Sequence, residues 1–316
     1  MGVSMHRAIR IFAAAWLLSF LTAPGARAET SPNADICAST DEAPYSPEQR
    51  IAACGALIDT LKDQPQAQAA PLVNRGATYW YIDKTDLALA DFDRAIALDP
   101  NNARAFHERS NAYRSIGHLD KALADANDAV RIDHANAQGF DYRGNVFNNN
   151  RQYDRAIADY NEAIRIDPSY SAAFNNRSIA YENKGQYAQA IEGFDQLIRL
   201  QPTNANLWNY RCWDRALIDQ LQPALTDCSE SLRLRPDDAN TIDSRALVYL
   251  KLGDLDKALA DYEAALKLNP KLAGSLYGRG VVKQKKGDTT GAEADMTAAK
   301  VIRANVAEQW AKYGVK

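Results

Sequence analysis

Residues 239–272 read ANTIDSRALVYLKLGDLDKALADYEAALKLNPKL, and this 34-residue pattern recurs along most of the chain. It holds two apolar stripes at i, i+3, i+4 and i+7 spacing, parted by the polar break Gly253-Asp254 and closed by Pro270. Each stripe suits one face of a helix, so the stretch predicts two antiparallel helices joined by a tight turn. Neither helix could bury its apolar face alone, and a repeated pair therefore predicts a stack of such pairs.

The prolines extend the pattern outward. Pro168, Pro202, Pro236 and Pro270 lie 34 residues apart, and Pro100 stands two periods before Pro168, with His134 in the empty slot. Framing on them gives seven repeats within 69–304, at 69–102, 103–136, 137–170, 171–204, 205–238, 239–272 and 273–306. Position 20 of the repeat is alanine throughout: Ala88, Ala122, Ala156, Ala190, Ala224, Ala258 and Ala292. Position 8 is always small (Gly76, Ser110, Gly144, Ser178, Cys212, Ala246, Gly280) and position 4 always large and apolar (Leu72, Phe106, Phe140, Phe174, Trp208, Ile242, Leu276). Small residues at 8 and 20 are what a close helix crossing requires.

These residues carry a family resemblance. A large residue, a small one four later, Tyr79, Tyr113, Phe147, Tyr181 or Tyr249 three after that, then pairs such as Ala88 with Phe92 and Ala258 with Tyr262, resemble the tetratricopeptide repeat. Departures are Arg215 and Lys283 in place of the aromatic residue, and Ala304 in place of the closing proline. The resemblance implies an all-α, right-handed solenoid with capping helices and a concave groove lined by the first helix of each repeat. Residues 47–62 fit half a repeat and are expected to form an N-terminal cap behind a polar, irregular leader, the two occupying 29–68. A C-terminal capping helix is expected over 305–316.

The first 28 residues predict export. Arg7 and Arg10 precede the apolar run from Ile11 to Leu21, and Ala26-Arg27-Ala28 offers a small-x-small cleavage site. The run is short for a membrane span, although an uncleaved anchor is the alternative. Cleavage near Ala28 would remove Arg7, Arg10 and Arg27 and move the net charge from −3 to about −6. A periplasmic or secreted protein without stable membrane insertion is expected. A chain this acidic is not expected to bind nucleic acid, whose phosphates select for excess Lys and Arg.

The four cysteines fall into two pairs. Cys212 and Cys228 face each other across one predicted hairpin, and Cys37 and Cys54 link the leader to the cap helix; in an exported protein they predict two disulfides. Arginine fills position 7 of every repeat (Arg75, Arg109, Arg143, Arg177, Arg211, Arg245, Arg279), and aspartate fills position 23 of six (Asp91, Asp125, Asp159, Asp227, Asp261, Asp295). Their joint recurrence favours a structural Arg–Asp ladder over a row of arginines for an anionic ligand.

Enzyme signatures are absent from the sequence: no His-x-x-x-His, no Gly-x-Ser-x-Gly and no phosphate loop. No enzyme activity, cofactor or metal is expected. The expected function is a non-catalytic scaffold or adaptor that holds an extended peptide or partner protein in its groove. The alternative is an envelope or oligomerisation component acting through its convex face or ends.

The groove positions of repeats 2 to 5 carry His107, Asn111, Arg114, Asp141, Tyr142, Asn145, Asn148, Asn149, Asn175, Asn176, Asn183, Asn209, Tyr210 and Trp213, with Glu182, Asp243 and Tyr277 also facing in. Asparagine both donates and accepts, so a row of them can pair with the backbone of an extended peptide whatever its sequence; a solvated polar face is the alternative. Tyr210 and Trp213 form an aromatic anchor of the kind found at hot spots. No lysine stands at position 5, so a clamp for a terminal carboxylate is not expected.

Overall fold

The computed structural model describes residues 32–39 and 44–315. The expected signal segment, with its cleavage near Ala28, lies outside the described residues. Among the described residues there are seventeen α-helices and no strand, and no helix is long and apolar enough to cross a membrane. The chain divides into two compact bodies, up to Gln152 and from Tyr153.

The N-terminal body runs α1 (Pro32–Ala38), α2 (Pro47–Thr60), a single 3-10 turn (Gln66–Gln68), α3 (Ala69–Tyr81), α4 (Thr85–Leu98), α5 (Ala103–Ser115), α6 (Leu119–Ile132) and α7 (Ala137–Asn149). The C-terminal body runs α8 (Tyr153–Ile166), α9 (Ser171–Asn183), α10 (Tyr187–Leu200), α11 (Ala205–Leu217), α12 (Leu221–Leu234), α13 (Ala239–Leu252), α14 (Leu255–Leu268), α15 (Ala273–Lys285), α16 (Thr289–Ile302) and α17 (Val306–Lys312). Within each body successive helices pack on one another. The fold is an all-α solenoid of helix pairs.

The crossings depend on the small residues. In the first repeat a Cβ on Gly76 would come within 2.6 Å of the Phe92 ring. The alanines at position 20 are at most 3% exposed. Behind them Phe92, Tyr160, Phe194 and Tyr262 are wholly buried.

Every hairpin turn has one left-handed residue at the same repeat position: Asp83, Gly117, Arg151, Gly185, Asp219, Gly253 and Gly287, with φ between 58° and 90°. Glycine adopts this conformation freely, whereas Asp83, Arg151 and Asp219 do so against a steric cost.

The leader is not wholly irregular. Its residues 32–38 form α1, which packs on α2 and α3 and is held to α2 by the Cys37–Cys54 disulfide, Cα atoms 4.7 Å apart. The half-repeat thereby gains a partner helix. Pro32 starts the short helix, and the bond to a buried Cys54 replaces the packing that seven residues could not supply. A second disulfide, Cys212–Cys228, joins α11 to α12.

Candidate functional site

The arginines of position 7 are occupied by structure. Arg75, Arg109, Arg211, Arg245 and Arg279 each grip the aspartate sixteen residues on with both Nε and Nη2, at 2.6–2.9 Å. Of these, Arg109 and Arg211 also reach back sixteen residues to the preceding repeat, to Asp93 and Asp195, as do Arg143 and Arg177, to Asn127 and Asn161. In Arg109 and Arg211 one fork therefore ties the two helices of its own repeat and, through its remaining nitrogen, the repeat before it. The backward contact was not anticipated, although the Asp or Asn at position 25 was visible in the sequence. The two departures at position 11 also have a role, since Arg215 and Lys283 add a second cation to Asp227 and Asp295.

In the N-terminal body the groove positions of α5 and α7 pack against each other. His107, Asn111 and Asp141 are buried at 3–6% exposure, so they present no open surface. The His107 ring meets Tyr142 edge-on at 5.3 Å, and its Nε2 has no hydrogen-bond partner. Burial lowers its pKa to about 4, so the imidazole is neutral at pH 7. Arg114 and Tyr142 are half-buried, and Asp141 accepts from the half-buried Asn145 at 3.2 Å. Asn148 is half-buried and Asn149 exposed.

The C-terminal body is more open. Asn175, Asn176 and Asn209 are half-buried, Asn183 is exposed, and Tyr210 is 39% exposed and lies 5.5 Å from the Phe194 ring. The Trp213 anchor is half-buried because Tyr313, just beyond α17, packs on it with ring centroids 5.1 Å apart. Trp310 of α17 rests on Tyr277 and on Tyr262, at 5.4 and 6.4 Å. Trp213, Tyr277, Trp310, Tyr313 and Val315 belong to one apolar cluster. The end of the chain thus lies on first-helix faces assigned to the groove, and a cavity of about 450 Å³ remains beneath it beside Tyr277, Val281, Met296 and Trp310.

Two carboxyl sites stand on the first helices, Asp243 at a groove position and Asp214 at a core position. Asp243 accepts from Ser275 Oγ at 2.5 Å, and burial pushes its pKa up to about 6. Asp214 is completely buried, with Glu182 of α9 beside it. The two carboxyls share a side-chain hydrogen bond; burial raises the pKa of both, and the charge of Glu182 and that bond push Asp214 further above the usual carboxylate range. Asp214 was missed in the sequence, although position 10 otherwise holds only Thr, Ala and Val.

Similarities to known proteins agree with this architecture. Models described as TPR repeat match residues 144–185 and 246–287, and models described as tetratricopeptide repeat match 69–102, 92–124 and 171–204. A tetratricopeptide repeat protein from Parabacteroides merdae is similar at 18% identity and a TM-score of 0.56, over 80% of this chain and 92% of that one. Pseudomonas aeruginosa pilF gives 18% and 0.58, over 68% and 96%. YrrB gives 20% and 0.50, over 60% and 97%. No curated protein sequence matches. With repeat models matching both bodies and the helix pairs in place, the chain belongs to the tetratricopeptide repeat family.

Proposed function

We propose that this protein is an exported, non-catalytic scaffold that holds an extended peptide or partner protein on the inner faces of its first helices. The observation that carries the reading is the docking of the chain's own end. Trp310 and Tyr313 lie on Tyr277 and Trp213, so these faces have the shape and apolar content to accept a short stretch of polypeptide with aromatic side chains. YrrB, described as a TPR protein with an unusual peptide-binding site, is a precedent on the same fold. Two disulfides suit an oxidising compartment, and with the expected signal segment they support a periplasmic or secreted location.

The test is cross-linking in the native compartment, comparing the wild type with the Asn145→Ala/Asn176→Ala/Trp213→Ala variant. Loss of the captured protein in the variant is expected. Undiminished capture would exclude the groove and favour the convex face or the ends, where Val301 is 83% and Ile302 47% exposed.

A further inference from the structure

Two helices of seven residues, α1 and α17, flank the helix pairs, and they are attached in different ways. Seven residues are too few for a helix to persist by itself in water. A disulfide holds α1 to α2. α17 is held by apolar side chains: Val306 and Trp310 are buried, while Glu308, Ala311 and Lys312 are exposed, and its N-cap, Asn305, makes no side-chain capping bond.

The chain end also reaches farther than a cap requires. Covering the apolar end of the stack takes contact with the seventh repeat alone. Trp310 makes that contact: it rests on Tyr277, and a Cβ on Gly278 would come within 2.7 Å of the indole. Position 6 is glycine in no other repeat. Tyr313 instead lies on Trp213, in the fifth repeat. The seat is not filled. The cavity of about 450 Å³ is bordered by Ala307 and Ala311, one turn apart on α17, together with Val281 of α15 and Met296 of α16. Close-packed interiors seldom leave such space, and larger side chains at the two alanine positions would occupy it.

We infer that residues 306–315 are an internal ligand, which occupies the inner faces of α11 and α15 until a partner peptide carrying two aromatic residues three apart displaces it. The inference deepens the groove reading above and rests on it. The partner segment is defined by what it replaces. One aromatic ring takes the recess over Gly278, and a second takes the edge-to-face place on Trp213. Aliphatic residues in place of Ala307 and Ala311 fill the cavity. A tethered segment competes at a roughly millimolar effective concentration, so self-occupancy weakens every weaker-fitting peptide and selects for one that fits better.

The experiment uses the full-length, disulfide-bonded protein and three fluorescein-labelled probes. They are a peptide of residues 305–316, the same peptide with leucine for its two alanines, and the same peptide with alanine for its two aromatic residues. Each is titrated by fluorescence anisotropy against the wild type, Tyr313→Ala and Trp310→Ala/Tyr313→Ala. Both variants are expected to bind the native peptide more tightly than the wild type does, the double variant at least about tenfold. The leucine peptide should bind about tenfold more tightly than the native one, and the peptide without aromatic residues should not bind. Adding Trp213→Ala to Tyr313→Ala should abolish the gain. In native cross-linking, Tyr313→Ala should raise capture of the partner and Trp213→Ala lower it, whereas a merely structural cap would lower both.

Equal affinity of the wild type and both variants for the native peptide, or equal binding of the peptide without aromatic residues, would overturn the inference. So would a wild-type dimer that dissociates in Tyr313→Ala, which would give the face to a second copy. Should the double variant fail to fold, Tyr313→Ala at the half-buried ring decides. If no peptide binds while native cross-linking still depends on Asn145, Asn176 and Trp213, the internal ligand falls and the groove reading stands. Failure of both removes the groove reading as well.

Discussion

Tyr313 meets Trp213 edge to face, ring centroids 5.1 Å apart and planes at 84°, although the two are separated by most of three repeats of sequence. Edge-to-face pairs contribute about 0.5–1.5 kcal/mol beyond their buried area. A double-mutant cycle of Trp213→Ala and Tyr313→Ala is expected to give a coupling of about 1 kcal/mol in denaturant unfolding. A coupling near zero would mean that the chain end does not dock in solution. The Tyr313→Ala variant should also shift tryptophan emission to the red as Trp213 gains water.

The buried acid pair makes stability depend on pH in a defined direction. Folding raises the pKa values of Asp214 and Glu182, so the native state keeps protons that the unfolded chain releases. Their contribution is therefore most favourable below the ordinary carboxyl range and becomes less so as pH rises toward the raised native values. Tyr187 feels both charges and Tyr210 that of Glu182, and Arg211 and Arg215 are engaged elsewhere. Asp214→Val restores the apolar residue of position 10 and is expected to gain about 1–4 kcal/mol at pH 8, much less at pH 4. Urea midpoints of both proteins across that range check the sign; a variant no more stable than wild type at pH 8 refutes it.

The ladder predicts unequal losses. Arg245 grips Asp261, which is 9% exposed, through two bonds of 2.7 and 2.8 Å. Arg177 has no such partner because Gly193 stands where the aspartate would be, and burial lowers its pKa. Arg245→Leu strands a buried carboxylate and should cost about 2–3 kcal/mol. Arg177→Leu, losing chiefly its bond to Asn161, should cost about 1 kcal/mol or less. Thermal or urea unfolding ranks the two.

Arg151 occupies the turn at φ 58°, where four of the seven repeats use glycine. Arg151→Gly is expected to stabilise by about 1 kcal/mol, since it relieves left-handed strain of that order. An unchanged or lower unfolding midpoint would show that the arginine side chain compensates for the strain.

Much of this architecture is legible in one dimension because a repeat protein is nearly one-dimensional. Alanine at position 20, a small residue at 8 and the paired Arg and Asp at 7 and 23 recur at a fixed interval, so each repeat tests the reading of the others. The Cys212–Cys228 pair was legible for the same reason, as the two sit at opposed positions of one hairpin. The candidate site was less so. His107, Asn111 and Asp141 share the helical face of Asn149, yet packing of α5 on α7 buries the first three and leaves the last exposed.

The sequence by itself determined the period, the helix pairs and the residues that weld them, because these depend on contacts between positions a fixed distance apart. Only the tertiary structure decided what covers the inner faces. Tyr313 on Trp213, Trp310 on Tyr277 and Glu182 beside Asp214 arise where helices from different repeats, or a chain end outside the repeat, meet in space. Burial and raised carboxyl pKa values follow from that meeting, and no periodicity encodes it.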